Sequence, residues 1–414
     1  MEKIQHTDVV VLGAGAAGIA AAVAASRNGS KVMLVERNMF PGGKATAAEA
    51  GTVCGLYKFG REERSAYIVK GFAKEFAEAL QLSSNTKPLF NTDGLHYLPY
   101  DIEAFKKLCI DLLNENNIDT RFNTVLEGVN IHGNVIGSVQ IKTGDAIVEL
   151  KPGSVIDCTG DSIISRLANL PVIESGHYQA AAQVFNMKDV SEDNEARLGM
   201  ILMKALRSAI DEKKLDDHFD RVYIVQGSLK HNAVSLKVGI PVPVTYEPGN
   251  LLQLKNAAHN FIHQLSAFLV ANVACFKNAS VGHIAPEVGI RVGVRTMGNY
   301  ILTGDDVLNC KKFDDAIANA SWPVEEWEQH RRVKMQWLKD NGFYQVPAGC
   351  LCSNTIHNLF MAGRNISATD TAIASARVMG ICLQTGYAAG CLASAWVKGV
   401  AQSEAVKSIQ NVQL

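Results

Sequence analysis

The feature that most constrains this chain is a glycine-rich turn near its start, set between an apolar run and a helix. Asp8–Leu12 is short, apolar and Val-rich, the pattern of a strand buried on both faces. It ends in Gly13-Ala14-Gly15-Ala16-Ala17-Gly18. Ala16–Asn28 follows as an alanine-rich helix, closed by Gly29 as its C-cap, and Lys31–Glu36 is the next strand. A strand, a tight turn, a helix and a second strand make a βαβ unit, which commits the chain to a parallel sheet.

The spacing Gly-x-Gly-x-x-Gly has a physical purpose in that context. Gly13 permits the tight turn, Gly15 lets the backbone approach a pyrophosphate, and Gly18 lets the helix pack close to the strand. The helix start offers free N–H groups and a partial positive charge, so Ala16 and Ala17 join the expected phosphate contacts. Glu36, at the end of the second strand, is placed to accept hydrogen bonds from ribose hydroxyls. An acid there favours an unphosphorylated ribose.

The 414 residues suit two interleaved domains more than one core. Forty basic and forty-one acidic side chains leave a formal charge of −1, so neither nucleic acid nor an anionic membrane is an expected partner. Nine cysteines scattered through the chain are poor material for a disulfide framework, and Cys350 and Cys352 lack a second ligand pair, so no metal site is expected. Met1–Thr7 is polar and fits no signal peptide. Ala372–Trp396 is long and rich in Ala and Gly, but Arg377 and Gln384 interrupt it, which favours a buried helix over a membrane span. A cytoplasmic protein is the expectation.

Further along, Pro41–Gly60 is expected to be an extended loop, Ser65–Leu82 and Ile102–Asn114 helices, and Gly128–Leu150 a β-meander. Ser154–Asp157 is a strand, Asn256–Phe276 a long helix, and Asn358–Ala362 a last strand before the long terminal helix. The expected division is residues 1–166 with 346–414 as one discontinuous domain, and 167–345 as a second, α+β, substrate-facing domain.

Several motifs carry a resemblance. Glu36-Arg37 is followed by Pro41-Gly42-Gly43-Lys44, Cys158-Thr159-Gly160-Asp161 closes an apolar strand, and Asn358–Ala368 runs on to Ser375–Gly380 and Gly386–Gly390. Val288–Arg291 with Arg295 forms a central arginine motif. Together they resemble the FAD-dependent oxidoreductase family, well at both ends of the chain and in patches through the middle. The resemblance implies FAD as cofactor, not NAD, and a FAD-binding Rossmann-like α/β domain of the glutathione-reductase type. It adds Arg37, Gly43, Lys44, Val125, Thr159, Gly160, Asp161, Gly363, Arg364, Arg377 and Val378 to the cofactor contacts. It also implies that the last helix points its N-terminus at the flavin pyrimidine.

For chemistry, the resemblance places His283, Glu287, Arg291 and Arg295 near the flavin. A guanidinium suits a carboxylate, so Arg291 or Arg295 is expected to hold an anionic group of a small-molecule substrate; a structural ion pair with Glu287 or Asp305 is the alternative. Cys54 is a candidate for flavin contact or thiol chemistry, against a default role in packing. Asp370 completes the catalytic candidates and stands where family members carry a histidine. Val292, Val294, Ala348, Gly349 and Tyr387 likewise replace the family's polar or larger residues, so the substrate differs or the flavin serves another purpose. The expected reaction is hydride transfer to or from flavin N5. A structural or redox-sensing FAD protein without turnover stays open, as does a homo-oligomer. No second Gly-x-Gly-x-x-Gly marks an NAD(P)H domain.

Overall fold

The computed structural model describes residues 4–60, 64–176, 178–328 and 333–414. In chain order the strands that matter are Ile4–Leu12 (β1), Val32–Val35 (β2), Asp119–Arg121 (β3), Thr124–His132 (β4), Val135–Thr143 (β5), Ala146–Asp157 (β6), Ala182–Lys188 (β7), Val222–Ile224 (β8), Ala233–Gly239 (β9), Ser280–Ile284 (β10) and Leu359–Met361 (β11). The helices are Ala16–Arg27 (α1), Gly71–Ser83 (α2), Ile102–Glu115 (α3), Glu195–Asp211 (α4), Asn250–Asn272 (α5), Asp370–Ala376 (α6) and Met379–Val397 (α7).

A seven-stranded mixed sheet holds the first core. Its parallel part runs β3-β2-β1-β6-β11, and β5 and β4 extend it antiparallel from the other end of β6. Residues 146–157 therefore form one strand, not a meander strand plus a separate parallel one. Ala146–Leu150 pairs with β5, and Val155–Asp157 pairs with β11. Val9, Val10 and Val11 are fully buried, as a strand covered on both faces requires.

The expected terminal helix is two helices, α6 and α7, meeting at 96° around Arg377 and Val378. Its small residues are explained by α1. A Cβ on Gly386 would lie 2.1 Å from the Ala17 carbonyl oxygen, and one on Gly390 would lie 2.2 Å from that of Ala21. Only glycine lets these two helices approach so closely. No single helix among the described residues is long and apolar enough to cross a membrane; the bent pair together has the length and composition, and most of α7 is buried in the protein.

Two other expectations change. Pro41–Gly60 contains a short helix, Lys44–Ala47, and a strand, Thr52–Cys54, paired with His96–Pro99. The helix expected from Ser65 starts only at Gly71, because the preceding backbone is pinned elsewhere: Lys58 donates to Ala66 and Ile68 donates to Leu56.

The second sheet is antiparallel, in the order β8-β9-β7-β10. It has its own core, where Phe185, Leu236 and Val238 meet Leu202 and Leu206 of α4 and Phe261 and Leu265 of α5. Along β9 burial alternates, so Val234, Leu236 and Val238 face that core. Lys237 must then face the other way. That other side rests on the first domain: Val225, just past β8, packs so close to Gly51 that a Cβ there would meet it at 2.2 Å. Leu302, Ile317, Trp322 and Val346 pack in the same apolar cluster as Val9 and Ile19.

Candidate functional site

The glycine turn is held by contacts that leave its ligand-facing side open. Gly13 has φ 93°, and its N–H donates to Val35 at 2.7 Å. A Cβ on Gly18 would sit 1.8 Å from the Gly13 carbonyl oxygen, whereas one on Gly15 would meet only the Gly43 Cα, at 3.9 Å. Gly18 thus serves helix–strand packing and Gly15 faces space. The Pro41–Lys44 loop closes the opposite side, with Gly42 donating to the Ala14 carbonyl at 2.8 Å and Gly43 at φ 52°. Gly15 caps α1 without a side-chain acceptor, so the first N–H groups of the helix are available to an anion.

A cleft opens over this turn. Of the expected cofactor contacts, Gly13, Gly15, Ala16, Ala17, Glu36, Arg37, Gly43, Lys44, Thr159, Gly160, Gly363, Arg364 and Arg377 line it. Gly18 lies beneath it. Val125 stands outside it on β4, 45% exposed, and Val378 packs against Gly55. Asp161 turns away to accept from the Tyr246 hydroxyl at 2.8 Å. Asn38, Cys158, Met379 and Cys382 also line the cleft. Met379 lies inside the Ser375–Gly380 motif but is not among the expected contacts; it reaches the cleft through the break between α6 and α7. That break puts a second helix start, that of α7, at the cleft.

Glu36 is buried, and burial pushes its carboxyl up. It accepts from the N–H groups of Ala14 at 2.6 Å and Asn38 at 2.8 Å, which fix its orientation and leave further lone pairs for hydroxyls. Glu287 bridges to Lys44 at 2.6 Å and Arg37 at 3.0 Å. Burial alone would raise its pKa, but Lys44 and Arg37 hold it down at about 2. The alternative expected for the arginines therefore takes another form, since Glu287 engages Arg37 and Lys44.

Arg295 pairs with Asp370, Nη2 to Oδ1 at 2.6 Å. It also donates to Ser175 Oγ at 3.0 Å, and Ser175 donates to the same carboxylate. The Arg295 side chain is fully buried, while Asp370 is half-exposed at the start of α6. Two catalytic candidates are thus brought together as an ion pair with one buried and one half-exposed partner.

Arg291 goes elsewhere. Its guanidinium carbon lies 4.2 Å from the centre of the Trp327 ring, and it donates to the Ala180 carbonyl. Lys237 Nζ lies 5.1 Å from the same ring and 5.8 Å from that of Tyr223. Arg377 donates to Gln179 at 3.2 Å and to the Glu325 carbonyl at 3.1 Å, and its Nε is buried without a partner. Burial, and then mutual repulsion, depress these cations: Lys237 to about 8 and Arg291 to about 9. Glu325 is the carboxylate they share, 3.7 Å from Arg377. Cys54 borders the group, and burial, with Glu325 next, pushes its thiol up to about 12. It is a neutral thiol at pH 7, not an activated nucleophile. Sequence reading missed Lys237, Trp327 and Glu325, which share no motif with Arg291.

The donor set fits an extended flavin dinucleotide. A helix start with open N–H groups faces the cleft, an oriented carboxylate follows at the end of the next strand, and a second helix start with an orphaned buried guanidinium nitrogen borders the same cleft.

Among curated proteins none matches the chain. Solved structures share the fold. The anhydrotetracycline hydroxylase OxyS of Streptomyces rimosus is 11% identical, with 98% of this chain and 65% of that one covered and a TM-score of 0.51. CabE, an aromatic hydroxylase from angucycline biosynthesis, is 10% identical over the same shares, 98% and 65%, with a TM-score of 0.52. Identities so low speak for an α/β flavoprotein fold and not for a substrate. The profile described as FAD dependent oxidoreductase matches residues 8–414, taking in the glycine turn, the arginine stretch and the α6–α7 corner alike. The chain belongs to the FAD dependent oxidoreductase family, and it is an enzyme whose cofactor is FAD.

Proposed function

We propose that this enzyme oxidises or reduces a small anionic organic molecule, with FAD supplying hydride acceptor or donor capacity at N5, on a fold of the glutathione-reductase type. The observation that carries the reading is the charge imbalance beside the cofactor cleft. Lys237, Arg291 and Arg377 face one another with Glu325 as their shared carboxylate, and Arg377 lines the cleft itself. A buried excess of positive charge is costly until an anion joins it.

The roles of the chain's own residues follow. Gly15, Ala16 and Ala17 present N–H groups to the pyrophosphate, and Glu36 accepts from the ribose. Arg364, which donates to Ile290 at 2.7 Å, ties the cleft to the arginine stretch. Arg291 and Lys237 bind the substrate's anionic group, and the Arg295–Asp370 pair fixes the start of α6. In this division 1–166 and 346–414 hold the cofactor and 167–345 faces the substrate.

The test uses anaerobic holoenzyme and a panel of organic acids matched with neutral and cationic analogues, following the visible absorbance of bound FAD. Bleaching of the oxidised enzyme, or recovery of the reduced one, is expected with an acid, and about tenfold or more slowly in Arg291→Ala. If only neutral or cationic compounds react, or if Arg291→Ala changes nothing, the reading is wrong.

A further inference from the structure

The cationic group does not end at the flavin cleft. Lys237, Tyr223 and Trp327 line a second, solvent-open cavity of about 1260 Å³ beside α4 and β8. Its walls beyond those three residues mix apolar and charged groups: Leu202, Leu206 and Ile210 of α4 with Val222 and Ile224, and Glu195, Arg207, Asp211, Asp217 and Asp220 around them. Met200 and Met203, each 61% exposed, form its rim. Methionines at one and the same helical face suit an apolar body of variable shape. Lys237 has no carboxylate in ion-pair reach among the described residues.

Resting on the anionic-substrate reading above, we propose that the ligand is an amphipathic carboxylate, its head between Lys237 and Arg291 and its hydrocarbon body in the cavity along α4. Charge complementarity selects the head. Arg377, on a side chain only 10% exposed, also carries a buried Nε without an acceptor. The apolar part of the lining selects the body, because a short acid leaves the cavity to water. Lys237 and the ring faces of Tyr223 and Trp327 line the cavity together with the aliphatic side chains and thioethers of α4.

Calorimetric titration of the FAD-loaded enzyme with acetate, hexanoate and decanoate, and with decanol, tests this without any turnover. Affinity should rise roughly fourfold per methylene until the cavity is full. Decanol should bind at least about tenfold more weakly than decanoate. Lys237→Met should remove that preference and leave decanol binding as it was. Met203→Glu, at an exposed rim position that folding does not depend on, should weaken decanoate and spare acetate. Acetate binding as tightly as decanoate would overturn the cavity assignment and leave the anionic reading standing. Decanol equal to decanoate would overturn both. Tight decanoate binding with no acid able to reduce the oxidised flavin or reoxidise the reduced one would uphold the site and sink the proposed reaction.

Discussion

At the glycine cradle the groups proposed to meet a ligand are backbone N–H donors from residues 13–18, delivered by one turn and one helix. At the Trp327 pocket they are side-chain tips from β9, from the stretch after β10, from residues 325–327 and from the α6–α7 corner. The cradle's geometry is fixed wherever the βαβ unit folds. The pocket exists only when the second sheet is laid over the first domain and the terminal helix is broken. A cofactor site of the first kind tolerates few changes to its backbone, whereas a site of the second kind is retuned by single side chains. Damage to the two regions should therefore look different.

The largest effects fall on the cradle. Gly18→Val places a side chain where the Gly13 carbonyl stands, with the Cβ 1.8 Å away, so the loop cannot close and little folded protein is expected. Soluble yield and circular dichroism measure this. Gly15→Ala is the contrasting lesion, since its Cβ has room. It should fold with an unchanged spectrum and bind FAD on the order of a hundredfold more weakly by equilibrium dialysis, because the methyl group stands where the pyrophosphate approaches. Equal folding defects in the two variants would erase the distinction between packing glycine and binding glycine.

That distinction was legible in the sequence because each glycine has a local duty set by the strand–turn–helix context. Glu36 was legible for the same reason, at the end of the next strand. The break at Arg377 and Val378 was not. No proline marks it, and the corner is imposed from outside: a Cβ on Gly380 would lie 2.6 Å from the Gly55 backbone, while Gln179 and Glu325 hold the Arg377 head. Lys237 was equally invisible. An alternating strand shows which residues leave the core, but not what the opposite face covers. Arg291 and Arg295 looked alike in sequence, four residues apart. Tertiary packing sends one to a tryptophan face and the other to Asp370.

The Arg295–Asp370 pair joins the two regions, and its loss should be intermediate. Asp370→Asn leaves a fully buried guanidinium with neutral partners, and about 2 kcal/mol of stability should go, less than for a wholly buried pair because Asp370 is half-exposed. Urea unfolding of the FAD-loaded enzyme measures it. A loss within a few tenths of a kcal/mol would assign the pair to the surface class.

Glu287 offers a smaller effect with a defined pH range. Its folded pKa, about 2, lies below its ordinary value of 4.5. The stability it contributes is present above pH 4.5 and is lost as pH falls toward 2. Burial lowers Lys44 at the same time and offsets part of the gain, so about 1–2 kcal/mol is expected. Glu287→Gln should flatten this part of the acid-unfolding profile, and an unchanged slope would show that the carboxylate is not held by its two cations.

The smallest effect probes the pocket alone. Lys237 stands near pKa 8, facing Arg291 and Arg377 as cations, Glu325 as the carboxylate, and Cys54 and Tyr223 as neutral groups. An anion is attracted by the protonated form, so its affinity should be greatest below pH 8 and fall as pH rises through that value. Between about pH 7 and about pH 9 the protonated fraction drops close to tenfold, and carboxylate affinity should fall about fivefold to tenfold with it. Arg291, at about 9, bends the curve the same way at its alkaline end. Lys237→Met should remove the limb near pH 8, and Lys237→Arg should move it upward by keeping the charge. FAD affinity should show no such limb, because the groups proposed to meet its phosphates are backbone N–H groups that do not titrate. A limb near pH 8 shared by FAD and carboxylate would mean that the two regions are electrostatically one site.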